Sequence, residues 1–384
     1  MRLLIMPATV LAFLAVVLAV PASAAQGEGP RQTFIVVLKD SVERASPVAA
    51  EHSQRFGADT QHVYEHALKG YAATVAEGSL GALLADDRVA SIERDSEVNA
   101  FTTQTGATWG IDRIDQISRS LSGTFTYTNT GSGVKAYIID TGIRFDHSQF
   151  GGRAESDFDA VDGGTADDCN GHGTHVAGTV GGATYGVAKG VTLVAVRVLS
   201  CSGSGTTSGV IAGVDWVTGD HDPGEPAVAN MSLGGGASSS LDTAVRNSIA
   251  DGVSYAIAAG NGNIVGRHED ACKKSPARVT EAMTISATDQ TDKKASWANY
   301  GNCVDWFAPG VVITSAWYTS STATNTISGT SMATPHTAGV AALYLEGNAG
   351  ALPAAVRTAL FNLTTKGIVT SAKTANNHLL FTNF

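Results

Sequence analysis

Two hydrophobic rhythms divide the chain. Between 32 and about 101 the apolar positions fall in short runs. Residues 33–38, 70–76 and 89–93 read as strands, and 48–56 and 79–87 carry helical spacing, with Ser79 placed as an N-cap. Two helices on one face of a small sheet make a plausible domain of about 70 residues. Residues 95–110 hold few apolar groups and read as a linker. Beyond Trp109, strands at 134–139, 192–199, 227–233, 253–259, 283–287 and 304–307 alternate with helical segments. The helices fall at 172–182, 206–217, 239–250 (ended by Gly252), 331–345 and 353–363. Such alternation predicts an α/β fold, a mostly parallel sheet covered by helices on both faces, with ligands at the C-terminal ends of its strands.

The first residues carry a different pattern. A basic Met1-Arg2 start, an almost unbroken apolar run from Leu3 to Val20, and Ala22-Ser23-Ala24 have the layout of a cleaved secretory signal, 1–24. A single membrane anchor is the alternative reading, and Pro21 with the small residues after it favours cleavage. No later segment is apolar for long enough to span a bilayer. Charged residues are only 16%, against about 25% in an average soluble domain. The 43 glycines follow no collagen period and therefore mark tight turns and close backbone approaches. A net charge of −10 argues against nucleic-acid or anionic-membrane partners.

Three short segments stand where the fold places a site. Asp140 ends a strand in Ile-Ile-Asp-Thr-Gly, His172 opens a helix in Asn-Gly-His-Gly-Thr-His, and Ser331 opens another in Ser-Gly-Thr-Ser-Met-Ala-Thr-Pro-His. A serine hydroxyl is a weak nucleophile until an imidazole takes its proton, and the imidazole needs a carboxylate to fix its tautomer. Singly, each has a plainer role: Asp140 as a turn residue, His172 and His175 as a metal pair, Ser331 as a helix cap. A secreted esterase would carry its triad in the order Ser, Asp, His, and this chain runs Asp, His, Ser. An inactive scaffold relative would be expected to lack one of these groups. A cysteine nucleophile would need a Gly-rich turn and a histidine partner, which none of the four cysteines has.

Those three strings, in that order, resemble the signatures of the subtilase family of serine peptidases. The run Trp109-Gly-Ile-Asp-Arg-Ile-Asp-Gln116 and the four cysteines are similar to the proteinase K branch, near its aqualysin-like bacterial members. The resemblance covers 102–384 and implies a subtilisin-like catalytic domain there. Residues 25–101, folded over about 32–100, resemble the family's inhibitory propeptide, which acts as intramolecular inhibitor and folding aid. It implies a secreted, autoprocessed, monomeric endopeptidase acting on proteins and peptides, with no membrane partner once the signal is gone.

The resemblance also assigns residues. Ala258-Ala-Gly-Asn261 carries the oxyanion-hole asparagine, Asn261, whose plainer reading is a turn residue. Gly203, Ser204 and Gly205, with Ser232, Leu233 and Gly234, would be the extended edges that pair with substrate backbone. Alignment of the mature start places self-cleavage at Phe101–Thr102. The apolar tail 98–101 then implies a large apolar or aromatic residue before the cut, and another three positions earlier. Four cysteines allow three pairings; the resemblance implies Cys169–Cys201 and Cys272–Cys303. Structural calcium is expected, at Asp289 with the carbonyls of Pro276 and Arg278. Asp112, Asp115 and Gln116 partly match a second site, although 118–126 offers it no acidic residue. No catalytic cofactor is expected.

Overall fold

The computed structural model of the chain describes residues 29–95, 102–263 and 265–384. The leader 1–24 and the peptide bond at Phe101 lie outside the described residues. The chain divides into two compact units, Met1–Asn99 and Ala100–Phe384.

The first unit runs β1 (Arg31–Leu38), α1 (Ala45–Phe56), β2 (Asp59–Tyr64), β3 (Gly70–Ala76), α2 (Leu80–Leu84) and β4 (Val89–Arg94). Its strands form one antiparallel sheet in the order β2-β3-β1-β4. Phe34, Val36 and Leu38 of β1 alternate inward against Val48, Ala49 and Phe56 of α1. Strand β2 escapes sequence reading because it is an edge with most of its side chains exposed and none buried. Ser79 precedes α2 without capping it; its hydroxyl donates to the Phe56 carbonyl at 3.4 Å.

The second unit opens with β5 (Thr102–Thr105), α3 (Trp109–Ile114) and β6 (Thr124–Tyr127). Part of the expected linker is therefore structured: β5 pairs antiparallel with β6. Strand β5 itself is polar and mostly exposed, so hydrophobic pattern gives no sign of it. The chain continues through β7 (Lys135–Asp140), β8 (Ala154–Asp159), α4 (His172–Gly181), β9 (Thr192–Arg197), α5 (Thr207–Asp220) and β10 (Ala227–Met231). Then come β11 (Gly235–Gly236), α6 (Ser239–Asp251), β12 (Ser254–Ala258), β13 (Lys274–Ser275) and β14 (Met283–Thr288). Strands β15 (Trp306–Pro309), β16 (Ile313–Ala316) and β17 (Thr324–Ile327) precede α7 (Thr330–Gly347) and α8 (Pro353–Leu363).

Seven strands form a parallel sheet in the order β15-β14-β12-β10-β7-β9-β8. Alternate residues of each central strand serve opposite cores, as the two-residue repeat requires. Ala136 and Ile138 of β7, with Leu193 and Ala195 of β9, pack with Val176 and Val180 of α4 and the apolar face of α7. Tyr137, Ile139, Val194 and Val196 face the other way, onto Val210 and Val214 of α5 and Leu241 and Val245 of α6. The strands buried on both faces are the ones legible as apolar runs. The polar edge strand β8 is not.

Candidate active site

Strand β7 ends on Asp140, which is fully buried. One of its oxygens, Oδ1, accepts from the Thr141 N–H at 2.8 Å and from His172 Nδ1 at 2.7 Å. Only a protonated Nδ1 can donate to a carboxylate, so the contact leaves Nε2 as the basic nitrogen of the neutral ring. His172 is the first residue of α4, and the second, Gly173, must be glycine, because a Cβ there would lie 2.1 Å from the Gly142 carbonyl oxygen.

A second carboxylate, absent from the sequence-level reading, ties these two segments together. Asp168 Oδ1 accepts from Thr141 Oγ1 and from the N–H groups of Asn170 and Gly171, at 2.8 to 2.9 Å. Its Oδ2 accepts from both the N–H and the hydroxyl of Thr174. Thr141 Oγ1 in turn accepts the Gly173 N–H at 2.9 Å. Burial pulls the His172 pKa down, but the charge and hydrogen bond of Asp140, with the charge of Asp168, outweigh it and hold the ring above the usual histidine value.

Ser331 lies in the first turn of α7, a helix buried along nearly its whole length. Its hydroxyl donates to the Ser232 carbonyl at 2.9 Å, and the Ser232 hydroxyl donates to the Ser331 carbonyl at 2.8 Å. Pro335, four residues on, has no N–H with which to satisfy that carbonyl within the helix. Asn230 Nδ2 donates to Ser232 Oγ at 2.9 Å and completes the arrangement.

Asn261 follows β12 in an exposed turn. The N–H and the hydroxyl of Thr330 both donate to Asn261 Oδ1 at 2.8 Å, which leaves Nδ2 as the outward donor of the amide. The Ser331 N–H belongs to the first turn of α7, where backbone donors have no helical partner.

Two hollows meet at the shared wall 232–235. The larger, about 590 Å³, is lined by His172, by 202–207, and by the apolar side chains of Leu199, Val210, Leu233 and Leu241. The smaller, about 240 Å³, is lined by Ala258, Ala259, Gly260, Asn261, Ala277 and Ser331, among others. Gly203, Ser204 and Gly205 thus lie on the same cleft as Ser232, Leu233 and Gly234. His172, Ser331, Asn261 and the two substrate edges named from sequence all line these hollows, and Asp140 bonds His172 from behind, although they come from six separate segments of the chain.

The disulfides pair Cys169 with Cys201 and Cys272 with Cys303. Among the described residues no three His, Cys, Asp or Glu side chains form a metal cluster. Asp289 Oδ1 accepts from the N–H and hydroxyl of Thr291 and from the Lys293 N–H. Asp112 is engaged by its own loop: the N–H and hydroxyl of Ser122, the Gly123 N–H and Gln116 Nε2 all donate to it. Asp115 differs, since its Oδ1 is buried with no hydrogen-bond partner. Burial, reinforced by the charge of Asp112 and opposed by the Thr126 N–H, lifts its carboxyl to about 6. An orphaned, buried carboxylate oxygen fits a cation at Asp115, whereas the oxygens of Asp112, both already accepting hydrogen bonds, fit one less well.

Comparison with known proteins places this geometry. Residues 131–381 match the model of the subtilase family, and 33–101 that of peptidase inhibitor I9. An extracellular serine proteinase of Thermus sp. (strain Rt41A) is 58% identical over 330 residues, covering 85% of this chain and 79% of the relative. Alkaline serine exoprotease A of Vibrio alginolyticus is 50% identical over 333 residues, 85% of this chain and 61% of the relative. A crystal structure of a cold-adapted subtilisin-like serine proteinase superposes with a TM-score of 0.70 at 52% identity, over 73% of this chain and all of that one. The chain belongs to the subtilase family: it is a subtilisin-like serine proteinase with an inhibitor-type propeptide.

Proposed function

We propose that the chain is a secreted serine endopeptidase of the proteinase K branch that cuts itself at Phe101–Thr102 and then hydrolyses proteins broadly. Ser331 is the nucleophile, His172 the general base and Asp140 the group that orients His172. The observation that carries this reading is the 2.7 Å contact between Asp140 Oδ1 and His172 Nδ1 on the cleft whose shared wall, 232–235, leads to Ser331.

In the reaction, Ser331 Oγ turns from the Ser232 carbonyl to His172 Nε2 and gives up its proton as it attacks the peptide carbonyl. Negative charge grows on the carbonyl oxygen and is met by Asn261 Nδ2 and the Ser331 N–H. The protonated His172, steadied by Asp140, passes the proton to the leaving amine, and water then releases the acyl group by the same route. Peptide backbone would pair with 203–205 on one side and 232–234 on the other. The Gly- and Ala-lined small hollow favours an apolar or aromatic residue before the cut, and Leu199, Val210 and Leu241 a second apolar residue upstream.

Residues 1–24 direct export, and 25–101 act as inhibitor and folding aid until cut from 102–384. Among the described residues no helix is long and apolar enough to cross a membrane. Calcium, when bound, supplies a structural crosslink between loops and no catalytic chemistry. Asp289 with the carbonyls of Pro276 and Arg278 would hold one ion, and Asp115 with its neighbours another. The mature enzyme acts as a monomer.

Casein hydrolysis by wild type beside Ser331→Ala tests the mechanism. Loss of clearing in the variant is expected, and equal clearing by both would sink it. Peptide-library profiling tests the specificity, which fails if Arg or Glu is preferred before the cut.

A further inference from the structure

Asn261 has an unusual mechanical problem. Its turn is exposed and is flanked by Gly260 at φ 100° and Gly262 at φ 81°, left-handed positions held by residues with the greatest backbone freedom. Burial therefore does not fix the amide, and hydrogen bonds must. Thr330 holds its oxygen from one side. Thr330 Oγ1 also accepts the Gly260 N–H, and the Ile285 carbonyl accepts the Ala259 N–H. The carbonyls of Ala259 and Gly260 and the Gly262 N–H all bond one residue, 38 positions beyond Asn261.

Asn299 is 1% exposed and directs its N–H and its side-chain amide at or beside this turn. Its N–H donates to the Gly260 carbonyl at 2.9 Å, and its Nδ2 donates to the Ala259 carbonyl at 2.8 Å. Its Oδ1 accepts from the Gly262 N–H at 3.1 Å and from the Glu269 N–H at 2.8 Å. The Ser286 hydroxyl of β14 donates to its carbonyl at 2.7 Å and so fastens it to the parallel sheet. A carbonyl on one side and two N–H groups on the other allow only one orientation of the amide. A Cβ on Gly260 would come within 2.6 Å of Asn299 Nδ2, so the turn is also moulded onto this side chain.

We propose that Asn299 is the positioning residue of the oxyanion site, holding the 259–262 turn so that Asn261 Nδ2 meets the developing oxyanion. The proposal rests on Asn261 being the oxyanion donor. Asn299 touches no reacting atom and acts through Asn261. A donor that serves the transition state alone contributes to kcat rather than to KM, and displacement by about 1 Å costs up to about 100-fold. Asn299 also lines the small hollow, so a role in substrate fit would instead appear in KM.

The test is a double-mutant cycle with a soluble peptide anilide, with rates normalised to the folded fraction. Asn299→Ala is expected to lower kcat about 10- to 100-fold, with KM changed by less than about twofold. In an Asn261→Ala background the same substitution should cost less than about twofold more. An equal loss in both backgrounds, or a rise in KM at unchanged kcat, overturns the proposal. Failure of the underlying reading looks different: Asn261→Ala alone would then leave kcat intact. If Asn299→Ala does not fold, Asn299→Asp carries the same cycle. It keeps the volume and the Oδ1 acceptor but sets an oxygen against the Ala259 carbonyl, and the same pattern is expected.

Discussion

Ser232 and Ser331 exchange hydrogen bonds, each hydroxyl donating to the other's carbonyl, at 2.8 and 2.9 Å across 99 residues of sequence. The exchange depends on Pro335, whose missing N–H leaves the Ser331 carbonyl in need of a donor. Ser232→Ala strands that buried carbonyl and should cost about 1–3 kcal/mol of stability, read as a lower melting temperature. Pro335→Ala offers the helical N–H in its place. It should therefore be less harmful in the Ser232→Ala background than in wild type, and identical costs in both would disprove the link.

The raised pKa of His172 has a consequence for the pH profile. As the proposed general base, His172 works only when neutral, so the acid limb of kcat/KM should lie above the ordinary histidine range of about 6.5. Asp168→Asn removes one of the charges that favours the protonated ring, and the limb should move to lower pH. The substitution also sets an amide against donors that Asp168 now accepts, so activity falls at every pH. A profile that falls without moving would show that the charge of Asp168 does not reach His172.

His52, fully buried in the first unit, bonds Tyr71 Oη through Nδ1 at 2.6 Å and Asp86 through Nε2 at 3.1 Å. Burial lowers its pKa despite the opposing pull of Asp86. The folded unit therefore binds fewer protons than the unfolded chain near pH 6.5, and its stability is full above that value and declines as pH falls through it. In the full-length Ser331→Ala protein, the amide-exchange protection factors of β1 and β3, corrected for the intrinsic pH dependence of exchange, should fall between pH 7.5 and 5. His52→Gln should flatten that dependence, and an unchanged slope would remove His52 as its source.

Arg113, 1% exposed, meets Asp292 through two hydrogen bonds of 2.9 and 3.0 Å and also donates to the Gln116 carbonyl. It ties α3 to the loop after β14. Arg113→Met would leave a buried carboxylate without its cation, at a cost of about 3–5 kcal/mol. A melting temperature within a degree or two of wild type would show that water or another group replaces it.

Much of this protein was legible along the chain for physical reasons. Strands buried on both faces must be apolar throughout, which exposed the alternation around Ile138, Val194 and Ile257. Asp140 ends a strand, His172 begins a helix and Ser331 lies in the first turn of another, each within two residues of a glycine, because a site at the strand ends needs close backbone approach. Edges behave otherwise: β2, β5 and β8 are polar and largely exposed, and solvent accepts most polar side chains on them, so no apolar run marks them.

What the chain could not disclose by itself is which groups hold the chemical ones still. Asp168 and Asn299 are ordinary polar loop residues, and Thr330 an ordinary helix-start residue, until the fold brings their partners to within 3.1 Å. Asp168 alone had a local signal, lying four residues before His172. The residues expected to hold calcium show the same divide: Asp112 and Asp115 look equivalent in sequence, yet both oxygens of one accept from Ser122 or Gly123 while the other keeps a buried, unpartnered oxygen. Residue type and order determine which chemistry is available, because reactivity belongs to the side chain. Distance, burial and hydrogen-bond saturation belong to the packed structure, and they decide which of those side chains are free to act.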